Sequence, residues 1–215
     1  MQIGLVYFSE SGVTKKLVLA AAAEIEAQGV NTFIYEVLGN SIEQGRFTDK
    51  DVFSSLNDCQ AIVFASPTYM GSASAQFKAF ADATSDFWMS QPWAGKIAAG
   101  ITSGSSMNGD QSSTLAYFTT LASQHGMLWL GLDVAHGMDS EAATENSESR
   151  QLDRLGCSTG VTAYSRDGEV EKTDLATARY LGRRVAIMIK RFKHCLLYTS
   201  PSPRDRTRSR MPSSA

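Results

Sequence analysis

The sequence has few cysteines, no long apolar run and little net charge, and each shortage closes off a class of protein. Cys59, Cys157 and Cys195 are odd in number and scattered over 215 residues, so neither a disulfide framework nor a zinc-ligand spacing is present. The longest purely apolar run, Leu17 to Ala23, is far shorter than a bilayer requires, so no membrane anchor is expected. Residues 1–8 lack a basic leading segment and are followed at once by polar residues, which is unlike a secretion signal and points to a cytoplasmic protein. A net charge of −2 provides no basic field for nucleic acid. Two nucleotide fingerprints are also missing: the first loop contains no lysine and fits neither G-x-x-x-x-G-K-[ST] nor G-x-G-x-x-G.

What is present begins at the N-terminus. Ile3 to Phe8 is β-branched, aromatic or apolar and stops at Ser9-Glu10-Ser11-Gly12-Val13-Thr14, which reads as a buried parallel strand ending at a ligand edge. Ser9, Ser11 and Thr14 bring hydroxyl donors, Gly12 removes a Cβ where backbone must approach closely, and the following helix turns its first amides to the same point. Such a cradle suits one monophosphate; an ordinary capped helix after a strand has the same composition.

The remaining periodicity alternates. A helix from Val13 to about Ala27 leads to a strand over Thr32 to Val37. After a polar stretch and a short helix near Val52 to Leu56 comes a third strand, Ala61 to Ala65, which Pro67 is expected to end. A helix over Ala73 to Phe87, a strand over Lys96 to Ile101, a helix over Ser113 to Ser123, a strand over Met127 to Leu132 and a helix from Asp174 to about Phe192 complete the pattern. This is an α/β chain: a doubly wound, five-stranded parallel sheet covered on both faces, with its ligand beyond the carboxyl ends of the strands. Gly137 to Arg166 shows no period and reads as a long loop, either functional or mobile. One domain is expected over residues 1–195. From Leu196 the composition turns to Ser, Pro and Arg, as in a disordered tail of foreign origin. That tail carries four Arg and one Asp, leaving −5 on the remainder.

Three further segments fall where a ligand is expected. Ser66-Pro67-Thr68-Tyr69-Met70-Gly71 offers a ring for stacking and backbone near a glycine, or only a Pro-Gly turn. Ser103-Gly104-Ser105-Ser106-Met107-Asn108 has the composition for amides to reach a heteroaromatic edge, or that of a linker. His125 precedes the fifth strand, and a lone histidine is more often structural than catalytic.

Together these segments resemble the WrbA-type NAD(P)H:quinone oxidoreductases of the flavodoxin-like superfamily, over about residues 1 to 193. The matching stretches include Ser66 to Gly71, Ala75-Gln76-Phe77-Lys78, Phe87-Trp88, His125-Gly126-Met127 and Ala178-Arg179-Tyr180-Leu181-Gly182. The resemblance implies sheet order 2-1-3-4-5 and an FMN enzyme taking electrons from NADH or NADPH and passing them to a quinone. It implies FMN contacts from Ser9, Glu10, Ser11, Gly12, Val13 and Thr14 around the phosphate. Ring contacts would come from Pro67, Thr68, Tyr69, Met70 and Gly71, and from Ser103, Gly104, Ser105, Ser106, Met107 and Asn108. His125 would stand beside the flavin and Trp88 would line the acceptor pocket, in a homo-oligomer, dimer or tetramer. Two departures stand out: Ser11 replaces an aromatic residue of the family's phosphate loop, and the 103–108 loop has less glycine. Rival readings are an electron carrier without substrate turnover and an FMN-binding interaction protein that has lost activity.

Overall fold

Strand β1 (Gln2–Tyr7) is buried and without a charged or amide side chain from Ile3 onward because both of its faces are covered. The computed structural model describes residues 1–107, 109–134 and 152–196. In it Ile3, Leu5 and Tyr7 point into one apolar layer and Val6 and Phe8 into another. Helix α1 (Val13–Ala27) leads to β2 (Asn31–Glu36), parallel to β1 from Gln2↔Asn31 to Tyr7↔Glu36. The polar stretch that follows holds a small antiparallel hairpin, β3 (Ile42–Glu43) and β4 (Arg46–Phe47), then α2 (Asp51–Asp58).

Strand β5 (Ala61–Tyr69) lies parallel to β1 on its other side and runs two residues past Pro67, where the sequence reading ended it. Phe8 N–H donates to Ala65 O, so the odd residues of β5 turn their polar groups toward β1. Residue 67 therefore faces ground that β1 has already left, and its missing N–H breaks no ladder bond. Beyond Tyr69 the chain reverses through Met70 (φ +48) and Gly71 (φ +78) into β6 (Ser72–Ala73), paired antiparallel to the end of β5. Two positive φ values in a two-residue turn are the hairpin geometry that matches strand twist. Ser74 then caps α3 (Ala75–Ala83) by accepting from Phe77 N–H, and the continuation to Ser90 is 3₁₀ where a longer α-helix was expected.

Strand β7 (Ile97–Gly104) pairs with β5 in parallel, and α4 (Gln111–Gln124) follows. The fifth position in the sheet is divided. β8 (Leu128–Trp129) pairs with Ile97–Ala98, and β9 (Val161–Tyr164) pairs with Ile101–Gly104. The order is thus β2-β1-β5-β7 with β8 and β9 sharing the outer edge, which is the expected 2-1-3-4-5 arrangement with its last strand split. Two expectations change accordingly. The strand assigned to Met127–Leu132 is paired only at its start, and the stretch assigned to a loop over Gly137–Arg166 contains β9. Residues 135–151 of that loop and 197–215 of the tail lie outside the described residues.

The last helix, α5 (Lys172–Leu196), packs with α1 on one face of the sheet, and α2, α3 and α4 cover the other. At the α1–α5 crossing a Cβ on Gly182 would stand 2.3 Å from Ala21 O, so only glycine allows this approach. Among the described residues no helix is long and apolar enough to cross a membrane.

Candidate functional site

The carboxyl ends of β1, β5, β7 and β9 lie along one edge of the sheet, and the loops leaving them meet there. In the first loop Ser9 Oγ accepts from Lys15 N–H at 3.2 Å, which leaves the Ser9 hydroxyl hydrogen free. Gly12 has φ +83, yet a Cβ there would meet nothing within 4 Å. Within the protein the position therefore calls for glycine by its left-handed backbone and not by crowding from neighbouring residues. Lys15 and Lys16 stand in the first turn of α1, but Glu36 holds Lys15 at 2.9 Å and Glu169 and Gly168 O hold Lys16. With both ammonium groups engaged by carboxylates, an anion at this loop is left to hydroxyls and helix amides.

Cross-links tie the first loop to the others. Thr14, 1% exposed, has Oγ1 2.9 Å from Oγ of Ser103 on β7. The carboxylate of Glu10 is close enough to Tyr69 to add to the burial that raises its phenol pKa, so the first loop and the β5–β6 turn are neighbours. A Cβ on Gly71 would lie 4.0 Å from Asp110, which brings the turn to the start of α4. Gln111 spans the remaining gap: its Oε1 accepts from Ala163 N–H on β9 at 3.1 Å and its Nε2 donates to Ser106 O at 3.5 Å. Tyr69, Met70 and Met107 are exposed around this edge. The predicted segments 9–14, 67–71 and 103–107 are thereby gathered at one place; Asn108 lies outside the described residues.

The sequence reading overlooked Gln111, the 165–169 segment and Thr114. Gln111 and Thr114 sit in helical sequence with no motif around them. The 165–169 segment straddles the end of the stretch read as having no period, although Ser165-Arg166-Asp167-Gly168 is a plain turn signal.

His125 and Trp88 are not brought to these loops within the chain. Helix α4 starts beside them and runs for 14 residues, so His125 at its far end stands about 20 Å away at 1.5 Å per residue. There the imidazole is 2% exposed, with ring centroids of Trp93 at 4.8 Å and Phe87 at 5.6 Å. Thr84 donates its hydroxyl hydrogen to Ala81 O at 2.7 Å, so it accepts from His125 Nε2–H at 2.7 Å. That leaves Nδ1 as a buried acceptor without a partner among the described residues. Trp88 Nε1 donates to Gln124 O at 2.9 Å. Both residues line a cavity of about 570 Å³ together with Lys78, Asp82 and Tyr117.

Burial lowers the His125 pKa from 6.5 because the charged ring would lose its hydration. The unfolded chain therefore binds more protons as pH falls below about 6.5, so folding stability is full above that pH and declines toward pH 5. Thermal midpoints between pH 5 and 8 should show this decline in the wild type and a shallower one in His125→Phe. Equal slopes would mean that His125 does not titrate on unfolding.

Residues 1–139 match the model of the NADPH-dependent FMN reductase family. The chain belongs to that family. It is 37% identical over 186 residues to flavodoxin FldP of Pseudomonas aeruginosa, spanning 85% of this chain and 93% of that protein. It is 28% identical over 202 residues to an NAD(P)H dehydrogenase (quinone) of Syntrophus aciditrophicus, covering 86% and 96% of the two. Among solved structures, a WrbA-like flavodoxin from Agrobacterium tumefaciens superposes with a TM-score of 0.68 at 32% identity, covering 88% of this chain and 98% of that one. Family membership and this fold agree with the doubly wound sheet read from sequence.

Proposed function

We propose that the protein is an FMN-dependent oxidoreductase that passes two electrons from NADH or NADPH to a quinone or similar flat acceptor. The observation that carries this reading is the cluster of three loops, all tied to one another, around an anion cradle from which lysine has been drawn away. The residues present fit FMN. The free hydroxyl hydrogen of Ser9, one spare hydrogen in the Thr14–Ser103 pair and the first amides of α1 suit a single terminal phosphate, and Tyr69 and the 103–107 backbone suit a flat ring. When bound, the flavin supplies the hydride chemistry itself. The chain holds the phosphate, orients the ring through the β5–β6 turn and leaves an exposed apolar rim at Met70 and Met107 for a flat partner.

His125 and Trp88 take the flavin-side roles that the resemblance implies only across an interface between copies, since one chain keeps them about 20 Å from the loops. The reading is therefore of a cytoplasmic homo-oligomer, dimer or tetramer, in which the cavity of one copy faces the loops of another. Nucleic acid and membrane have no part in it.

Donor and acceptor both need the exposed flavin face, so they must alternate. Anaerobic NADH or NADPH should bleach the bound flavin with no acceptor present, and benzoquinone should then restore its colour within turnover time. Trp88→Ala should raise the KM for quinone and leave FMN affinity unchanged. The relative named flavodoxin, matched over nearly its whole length, favours a second reading as an electron carrier. Flavin that stays oxidised under excess reduced nicotinamide would replace the enzyme reading with that one.

A further inference from the structure

Beneath the β5–β6 turn three threonine hydroxyls form a chain whose direction is fixed. Thr102, fully buried on β7, donates its hydroxyl hydrogen to Ser66 O at 2.8 Å. Its Oγ1 is also 2.8 Å from that of Thr68, so Thr68 must be the donor in that bond. The single hydrogen of Thr68 is then used. Thr114, fully buried on α4 and also 2.8 Å from Thr68, must donate to it. The order is Thr114 to Thr68 to Thr102 to Ser66 O, and each donor polarises the next.

We propose that Thr114 is a positioning residue for the segment that orients the flavin ring, acting through Thr68, whose own hydroxyl is committed inside the protein and donates nothing to a ligand. This rests on the FMN reading above. The turn it steadies needs anchoring, because Met70 holds φ +48 and is fully exposed. A non-glycine residue persists in that region only when its surroundings over-determine it. Thr68 stands at the root of the turn, paired with Ala73 across the hairpin. Its two hydroxyl bonds tie that root to β7 on one side and α4 on the other. The arrangement commits only the Thr68 hydroxyl, so the cofactor contact that the resemblance implies for Thr68 falls to its backbone or methyl group.

The test is flavin binding by Thr114→Val, which keeps the shape and removes the hydroxyl, compared with Thr114→Ser, which keeps it. Thr114→Val should raise the Kd for FMN about three- to tenfold, the loss of one hydrogen bond in a linked chain, and shift the visible flavin spectrum. Riboflavin should weaken by the same factor, because the ring and not the phosphate is affected. Thr114→Ser should stay within about twofold of wild type, and so should Thr120→Ala, an exposed position on the same helix. Thr102→Val, at the other end of the chain, should reproduce the Thr114→Val pattern and serves if that variant does not fold. A wild-type Kd and spectrum in folded Thr114→Val, or a loss confined to FMN, would overturn the proposal. A wild-type chain that binds no FMN would instead remove the function it rests on.

Discussion

Replacing Arg154 by Met should lower the thermal midpoint by about 10 °C. Arg154 grips Asp174 with two parallel bonds, Nε to Oδ1 at 2.6 Å and Nη2 to Oδ2 at 2.7 Å, and the Asp174 side chain is 2% exposed. Removing one partner of a buried pair leaves the other charge without compensation, at a cost of about 3–5 kcal/mol. For a domain of this size each kcal/mol moves the midpoint by about 2–4 °C. Burial already raises the Asp174 carboxyl pKa against the pull of the guanidinium, and the variant loses that pull. The carboxyl of the variant is thus held further above its unfolded value. Stability from such a group is full at low pH and is lost as pH rises, so the deficit should be smaller at pH 5 than at pH 8. Calorimetry at the two pH values checks both the size and the sign. Arg154→Met with Asp174→Leu should recover most of the loss, since the isolated charge is gone. A midpoint within 2 °C of wild type in the single variant would mean that solvent reaches the carboxylate. The consequence extends to the site, because Asp174 also accepts from Tyr164 N–H at 3.3 Å and Tyr164 lies beside Gly104 at the start of the 103–107 loop.

That clamp also marks where sequence reading stops. The core strands were legible because each carries an apolar run buried on two sides, and the helices between them dictate parallel pairing. β9 was not legible. Four residues with one threonine among them make no period, and their place beside Ile101–Gly104 is set by pairing across 60 positions of chain. The first strand's loop was recognisable from its hydroxyls and glycine, whereas the bond from Thr14 to Ser103 joins residues 89 positions apart. His125 is a different case. The helix expected over Ser113–Ser123 already separated it from the 103–108 loop by about 16 Å, so its distance from the flavin loops was contained in the reading. Resemblance alone singled out the residue, and the length of the helix keeps it from the loops of its own chain.

The hydroxyl hydrogens around the first loop can be counted. Ser9 Oγ is an acceptor from Lys15 N–H, so its hydrogen has no protein partner in that bond. Thr14 and Ser103 hold two hydrogens between them and use one in their mutual bond, which leaves one to donate. Both lysines of the first turn are engaged by carboxylates. On the proposed FMN reading the phosphate dianion would depend on these two hydroxyl hydrogens and on amides, and bonds to an ionised acceptor are the strong ones. Ser9→Ala combined with Thr14→Val should weaken FMN by about 1–3 kcal/mol, or roughly 5- to 150-fold in Kd, with riboflavin nearly unaffected. FAD, whose phosphate is not terminal, should bind more weakly than FMN to the wild type. Titration of the three flavins against both proteins decides the matter. A fall in riboflavin affinity equal to that in FMN would show that the hydroxyls shape the loop and do not hold the phosphate, and equal wild-type affinity for FMN and FAD would remove the terminal phosphate from the argument altogether.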